Sequence, residues 1–366
     1  MRIWLAETRV ANPGGHELEL DRVLVEELRG LGHKVELALP SDYGLELNYP
    51  VYVKPLAAKG SPLPQRSFLG RLKRSLFSEV RRRSIFNEIA SRANEYDAAI
   101  IPSATYRFLR SAKMSELKRS KKPVIFLGFE SPPKVGRLMA DQLRSLGKPN
   151  KIKVLVNCVS FGGDTYGLDN YFLAPPPAFT PRDVPWRPAP DGPLVFGFFG
   201  QYRREKNLGG LLEAILAAKL KSEAKFVVQI NPITPEDRAE AEALVKRYAN
   251  IGDKLTFIHG QLDNKSWQEA LLGVHAILMP YGAERFRWNW SSMLFSAIGF
   301  KRAVLTTETL NPAVLEKFKI GRVAKDGDFG SLREALERLA EDFDDPALYR
   351  DRLDAAFEFY HPRRLA

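Results

Sequence analysis

A chain of 366 residues exceeds the usual size of one hydrophobic core, so the sequence predicts about two domains. Its 45% hydrophobic and 27% charged residues are typical of a soluble globular protein, and no apolar run approaches the roughly 18 residues of a membrane-spanning helix. The opening segment MRIWLAETRV lacks the apolar core of a secretory signal, and Cys158 as the single cysteine excludes an internal disulfide. We therefore expect a cytoplasmic protein.

The formal charge of +11 is unevenly distributed along the chain. Residues 1–180 hold 28 Lys and Arg against 18 Asp and Glu, a surplus of ten. Residues 181–366 hold 27 against 26, a surplus of one. The first half is therefore expected to face something anionic, such as nucleic acid, an anionic membrane surface or a phosphorylated substrate.

The first half begins with a predicted β-α-β unit. A strand at residues 1–7 and the turn ANPGG lead into a helix at 18–31, which Gly32 ends, and a second strand follows. Further strands are predicted at 96–102, 123–129, 152–159 and 170–175, and one long basic helix at 66–92. This alternation is typical of a parallel sheet wound by helices.

A proline-dense segment, APPPAFTPRDVPWRPAPDGP, interrupts the pattern and predicts a linker at 176–193. Strands and helices then alternate again, and two helices close the sequence. We predict an α/β protein of two doubly wound Rossmann-like domains, 1–175 and 194–345, that face each other across a cleft. Residues 346–366 are expected to form a helix that packs back toward the first domain.

Three cations follow the first strand of the second half, in VFGFFGQYRREKNLGGLLEAI. Arg203, Arg204 and Lys206 stand in a loop directly before a helix N-terminus, where unpaired N–H groups favour anions. The loop is therefore either a solvated turn or a phosphate site.

The segment GQYRREKNLGGLLEA resembles the GRLxxEKGxxxLLEA motif of glycosyltransferase family 4, whose members have the GT-B fold. The resemblance implies that Lys206 contacts the diphosphate of a nucleotide sugar. Gln201 occupies the position of the family's arginine, so Arg203 or Arg204 would have to supply the missing charge.

The resemblance extends to other segments. PGGHELELDRVLVEELRGLGHKVEL is similar to the family's first β-α unit, in which Gly14 and Gly15 would let the backbone approach a ligand; a simple turn is the alternative. LTFIHGQLDNKSWQEALLGVHAILMPYGAE is similar to the donor-binding segment, which implies that Gln261 and Leu262 hold the nucleobase through backbone groups. Tyr281, within the same segment, is a further donor-binding candidate.

The sequence also departs from the family pattern. Glu284 in ERFRWNWSSMLFSAIGFKRAVL aligns with the first of two family glutamates, which implies contact with the donor sugar. The second falls on Ser292 or Leu294, neither of which is acidic. The histidine that commonly follows the fourth strand is replaced in IIPSATY by Ser103, Thr105 and Tyr106.

Four more residues after Glu284 are candidates for contact with the donor. Arg285 and Arg287 precede Ser291 and Ser292, which open a predicted helix. The two serines are either caps of this helix or part of a second phosphate site that faces Lys206.

Candidate proton-transfer residues lie in the first half. His16 follows the two glycines, Glu130 follows an apolar strand, and Asp164 stands in FGGDTYG. An inverting transfer would need such a base beside the acceptor hydroxyl. The five histidines are scattered, so we expect no metal and no cofactor other than the nucleotide-sugar substrate.

The basic segment 66–90 combines seven cations between 66 and 83 with apolar residues at helical spacing. Phe68, Leu69, Leu72, Leu76, Val80 and Ile89 form the predicted apolar stripe. Such a helix either lies on an anionic membrane surface or packs against its own domain.

The sequence as a whole predicts a metal-independent glycosyltransferase with a nucleotide-diphosphate donor. The basic first half indicates a glycan or lipid-linked acceptor, as in surface polysaccharide or glycolipid assembly, at the inner face of the membrane and without a nucleic-acid partner. The alternatives are a nucleotide-sugar epimerase or another GT-B enzyme, and a non-catalytic nucleic-acid or membrane-binding protein.

Overall fold

The structure, a computed structural model, describes residues 1–8, 17–44, 47, 49–60, 68–147, 150–181, 192–262, 264–345 and 347–366. Of residues 68–74 and 264 it describes the backbone alone. The chain divides into two compact units. Unit 1 comprises Met1–Pro177 and Pro362–Ala366, and unit 2 comprises Ala178–His361.

Unit 1 contains a seven-stranded sheet in which every pairing is parallel. Its strands in chain order are β1 (Arg2–Ala6), β2 (Lys34–Leu39), β3 (Tyr52–Pro55), β4 (Ala98–Ala104), β5 (Val124–Phe129), β6 (Ile152–Asn157) and β7 (Tyr171–Ala174). The order across the sheet is β3-β2-β1-β4-β5-β6-β7. Its helices are α1 (Glu17–Gly30), α2 (Phe68–Ser91), α3 (Tyr106–Lys113) and α4 (Pro133–Arg144).

Both faces of this sheet are covered, because side chains alternate along each strand. In β1, Ile3 and Leu5 pack in a core cluster with α1, while Trp4 and Ala6 pack in a second cluster with α2, α3 and α4. A strand buried on both faces has to be apolar throughout, and this explains the run IWLA.

Unit 2 contains a six-stranded parallel sheet in the order β10-β9-β8-β11-β12-β13. Its strands are β8 (Leu194–Phe198), β9 (Ala224–Ile230), β10 (Leu255–His259), β11 (Ala276–Met279), β12 (Ala303–Thr307) and β13 (Gly321–Ala324). Its helices are α5 (Leu208–Ala217), α6 (Pro235–Tyr248), α7 (Asn264–Leu272), α8 (Ser292–Gly299), α9 (Pro312–Phe318), α10 (Phe329–Asp342) and α11 (Arg350–Phe359).

The predicted fold class is confirmed: two parallel sheets, each wound by helices. Several elements were not predicted, namely β3, β13, α3, α4 and α9. The two strands have four residues each, and β3 is partly exposed and ends in a proline. Segments this short carry too few residues to establish a hydrophobic period.

The helix predicted within 346–366 is present as α11 (Arg350–Phe359). Helix α11 lies in unit 2, where it contacts α8 and α9. Tyr360, directly after it, is fully buried against Phe295 and Phe318. These aromatic contacts hold the helix in unit 2, and residues 362–366 alone rejoin unit 1, where Leu365 enters the core beside α1.

The predicted apolar stripe of helix α2 is wrong as a single face. Ile89 is buried, whereas Leu76 and Val80 are exposed. Val80 and Ile89 are nine residues apart, which places them on opposite sides of a helix of 3.6 residues per turn. Among the described residues, no helix combines the length and the apolar character needed to cross a membrane.

Candidate functional site

The strand order of unit 2 reverses between β8 and β11. These strands are neighbours in the sheet, but the chain leaves β8 toward β9 on one side and reaches β12 from β11 on the other. Open α/β sheets bind ligands at such a switch point, beyond the carboxyl ends of the strands. The loops that follow β8 and β11 meet there, since the Gly282 amide donates to the Glu205 carbonyl at 3.3 Å.

Lys206 lies at this switch point. It ends a 3₁₀ turn, Arg204–Lys206, and Asn207 reverses the chain with a left-handed φ of 54° before α5 begins. The ammonium stands 5.1 Å from the ring centroid of buried Tyr281. Burial, with the nearby charges of Arg203 and Arg285, lowers the pKa of Lys206 to about 7. A bound anion would favour the ammonium form and raise this pKa again.

Gly200 allows the loop after β8 to approach this amine closely. Its φ is +95°, and a Cβ there would lie 3.0 Å from Lys206 Nζ and 3.8 Å from Met293 Cε. Met293 belongs to the first turn of α8. The Met293 side chain, from the first turn of α8, and the Lys206 ammonium thus both lie close to Gly200.

Arg285 reaches Glu205 from the loop after β11. Its Nη2 bonds to one carboxylate oxygen and its Nε donates to the other at 3.2 Å, while Arg203 lies 3.7 Å from the same carboxylate. Burial raises the pKa of Glu205, but the hydrogen bonds and charge of Arg285 outweigh it, so the pKa lies below its usual range. Two guanidinium groups, those of Arg203 and Arg285, therefore meet one carboxylate.

Arg204, the alternative to Arg203, faces elsewhere. Its side chain is 87% exposed and approaches Glu240 at 3.7 Å. Arg203 is consequently the arginine of this loop that joins the cationic cluster.

The remaining candidates after β11 differ in exposure. Glu284 and Arg287 pair with each other at 3.1 Å, and the Glu284 side chain is 76% exposed. Ser291 stands at the N-cap position of α8, but its side chain makes no capping hydrogen bond. Ser292, the first residue of the helix, is partly exposed.

Asn311, which sequence reasoning missed, positions this helix. It is fully buried, and its carboxamide accepts from the Ser291 amide at 2.9 Å and donates to the carbonyls of Phe286 and Asn289 at 2.8 and 3.2 Å. Its backbone is left-handed, with φ 43°. The only sequence signal is an Asn before Pro312, which is also a common helix start.

Gln229 is a second positioning residue that the sequence did not reveal. Its buried carboxamide accepts from the Gly200 amide at 2.7 Å and donates to the Gly260 carbonyl at 2.9 Å. Gly260 precedes Gln261 and Leu262, the predicted nucleobase contacts. A cavity of about 430 Å³ opens beside it, lined among others by Asn231, Arg238 and His259.

In unit 1, Gly14, Gly15 and His16 lie outside the described residues. Glu130 is buried at the end of β5, and its carboxylate accepts from the amides of Val159 and Ser160 at 2.6 and 2.9 Å and from the Ser160 hydroxyl. Both of its oxygens are thus engaged in holding the loop after β6. Asp164 is exposed and accepts from the Tyr166 amide at 2.6 Å.

The described residues contain no group of three His, Cys, Asp or Glu side chains arranged to hold a metal ion. The positive charges described at the switch point are those of Lys206, Arg203 and Arg285.

The fold class is GT-B, with two parallel sheets that are each wound by helices. Solved structures match this fold along the whole chain. Sucrose-phosphate synthase from Thermosynechococcus elongatus is 14% identical with a TM-score of 0.64, and the match covers 99% of this chain and 95% of that one. HepE from Anabaena, in complex with UDP and glucose, is 13% identical over 99% and 96%, with a TM-score of 0.66. A glycosyltransferase from Rickettsia africae is 11% identical over 100% and 95%, with a TM-score of 0.68.

No family model matches the chain, and no curated protein matches it by sequence. At these identities the structural likeness shows the fold, which is the one that the family resemblance implies.

Proposed function

We propose that the protein is a glycosyltransferase that moves a sugar from a nucleotide-diphosphate donor to an acceptor. The observation that carries the proposal is the convergence of Lys206, Arg203 and Arg285 at the switch point of unit 2, beside the Met293 side chain of α8. The structures of HepE with UDP and with UDP-glucose support a nucleotide sugar as the ligand of this fold.

Lys206, Arg203 and Arg285 are assigned an electrostatic role in the proposed reaction. Breaking the bond between the anomeric carbon and the diphosphate leaves negative charge on the leaving phosphate. Lys206 regains its proton beside that charge, and Arg203 and Arg285 are held close by Glu205. These side chains are assigned the stabilisation that a divalent cation would otherwise supply, so the proposed transfer is metal-independent.

The other candidates are assigned by position. Exposed Glu284 contacts the hydroxyls of the donor sugar, and the backbone at Gln261 and Leu262 contacts the nucleobase beside the Gly260 cavity. For proton transfer the proposal retains His16. Glu130 is assigned to positioning the loop after β6, because both of its oxygens already accept hydrogen bonds.

The acceptor is assigned to unit 1, because residues 1–180 carry ten of the eleven surplus positive charges. A basic surface favours an acceptor that is anionic or carried on an anionic lipid. Such acceptors occur in the assembly of surface polysaccharides and glycolipids, at the cytoplasmic face of a membrane.

The first test measures binding of nucleotides and nucleotide sugars to the wild type and to Lys206→Ala by calorimetry. A charge-assisted contact contributes about 1.5–3 kcal/mol, so Lys206→Ala should weaken diphosphate binding roughly 10- to 150-fold and leave nucleoside binding nearly unchanged. Arg204→Ala is the matched control, since that arginine shares the loop but faces Glu240. Equal losses for nucleoside and diphosphate, or equal effects of the two variants, would contradict the assignment.

The second test concerns Glu284. Glu284→Gln should reduce transfer strongly and leave affinity for the sugar-free diphosphate unchanged, because the side chain is assigned to the sugar. A parallel loss of diphosphate affinity would place Glu284 elsewhere. Turnover of the donor without an acceptor would instead favour a nucleotide-sugar epimerase.

A further inference from the structure

The outward face of helix α2 carries three large apolar side chains in water. Leu76, Phe77 and Val80 are 66%, 62% and 64% exposed. At 3.6 residues per turn they fall within about 100° of arc, opposite Ile85, Phe86 and Ile89, which pack in the core of unit 1. The helix is therefore apolar on two opposite sides, and its own domain covers one of them.

Single exposed apolar residues are normal on a protein surface, but a contiguous group on one helix face indicates an interaction site. Burying such side chains is favourable in proportion to the apolar area that is removed from water. The kind of partner is indicated by the charges around the group.

Cations flank this apolar group. Buried Glu79 pairs with Arg82 at 3.2 Å and with Arg83 and Arg110 at 3.0 Å each, so one carboxylate meets three guanidinium groups and two positive charges are left over. On the adjoining helix α3, exposed Arg107 adds to them.

The pKa of Arg82 reflects its burial and the positive charges of the neighbouring arginines. Burial lowers the pKa of Arg82, and the positive charges of Arg107 and Arg110 lower it further. The exposed Lys113 stands on the same helix, and the sequence places Arg71, Lys73 and Arg74 on α2 itself.

We propose that Leu76, Phe77 and Val80, with Arg83, Arg107 and Arg110, form a surface that docks on an anionic lipid membrane. The apolar side chains enter the boundary between headgroups and acyl chains, and the arginines bind lipid phosphates. Nucleic acid is bound mainly through phosphate contacts and does not require a solvent-facing apolar row. An apolar row beside a surplus of positive charge matches the acyl chains and the phosphates of an anionic lipid surface. The combination of the two features selects lipid.

The test is flotation of the full chain with vesicles, in the absence of substrates. We expect binding to vesicles that contain phosphatidylglycerol, weaker binding as salt rises, and none to vesicles of phosphatidylcholine alone. The triple variant Leu76→Ser, Phe77→Ser, Val80→Ser should lower the partition coefficient at least tenfold, because about 1.4 kcal/mol of lost apolar burial already corresponds to that factor.

A matched control replaces exposed apolar residues elsewhere in unit 1, Leu138→Ser with Phe172→Ser, and should bind vesicles like the wild type. Arg81, Arg82 and Arg83 are not replaced together, because Arg82 is buried on Ser111 and Glu79 and its loss would disturb the fold. An unchanged denaturant midpoint and unchanged hydrogen-exchange protection of α1 show that unit 1 of the triple variant is folded.

The proposal is overturned if the wild type does not bind anionic vesicles, or if the triple variant and its control bind them equally well. It is also overturned if the wild type forms a dimer in light scattering that the triple variant lacks, since the surface would then bind a second copy. Neither outcome tests the proposed transfer reaction, because the vesicle assay uses no donor and the proposed donor site lies in unit 2.

Discussion

Lys206 is the residue on which the proposed chemistry depends most, and its protonation gives a sharp test. In the free protein its pKa is about 7, because burial and the charges of Arg203 and Arg285 disfavour the ammonium form. A bound diphosphate favours that form and raises the pKa. Binding above pH 7 must therefore take up a proton.

From this linkage we predict how donor affinity changes with pH. Affinity for a nucleotide sugar should be nearly constant below pH 7 and fall about tenfold per pH unit above it, until the pKa of the bound state is reached. Calorimetry in buffers of different ionisation enthalpy should detect the proton uptake at pH 8. Lys206→Arg remains charged and should flatten the profile. A flat profile in the wild type would contradict the depressed pKa.

At the residue scale, the sequence predicts the parts of the site that lie next to each other in the chain. Arg203 and Lys206 share a loop, and the sequence pattern places this loop between a strand and a helix. Gln229 and Asn311 act on backbone groups 20 to 31 residues away, and no local pattern marks a carboxamide for such a bond. Glu130 shows the converse: its position after a strand was predicted, but its engagement by Val159 and Ser160 depends on the fold.

At the scale of elements, helix α8 shows how one residue can fix a helix end. Three backbone groups of the preceding loop bond to the carboxamide of Asn311, and no serine side chain caps the helix. The position of the helix N-terminus, and with it the proposed second phosphate site, depends on this clamp.

Replacing Asn311 should therefore affect both stability and binding. Asn311→Ala leaves buried backbone groups unsatisfied, at about 1–3 kcal/mol each, and alanine lacks the polar side chain that lets asparagine adopt a left-handed backbone, which costs about 1–2 kcal/mol. Asn311→Gly removes the clamp but tolerates the φ of 43°, so it should be the less destabilised variant in denaturant unfolding. Diphosphate affinity should fall in both. Unchanged affinity would remove α8 from the phosphate site.

Helix α10 was predicted correctly, and its buried residues recur at helical spacing along the helix. Helix α2 departs from this pattern, because its apolar residues serve the core at Ile85, Phe86 and Ile89 and the surface at Leu76, Phe77 and Val80. Hydrophobic residues on a helix indicate burial, but they do not say whether the domain or a partner provides it.

At the scale of the whole molecule, the chain crosses between the units twice, after Pro177 and after His361. Leu365 lies in the core cluster of unit 1, while Leu353 of α11 is buried in unit 2. The segment 350–366 therefore contributes to both units.

This division predicts which unit each leucine stabilises. Leu365→Ala should destabilise unit 1 by about 2 kcal/mol and reduce hydrogen-exchange protection in α1, with α8 and α9 unchanged. Leu353→Ala is the matched control and should reduce protection in α8 and α9 while sparing α1. If both variants loosened both units equally, the units would not be separate cooperative bodies.

The return of residues 362–366 also determines the order in which the molecule can be completed during synthesis. Unit 2 is one uninterrupted stretch, Ala178–His361, and has all of its parts once that stretch has left the ribosome. Unit 1 begins first, but the leucine that completes its core beside α1 is made after the whole of unit 2. The usual sequence, in which the N-terminal domain finishes before the next one starts, is thus reversed for the final step. Until then the core cluster beside α1 lacks the Leu365 side chain.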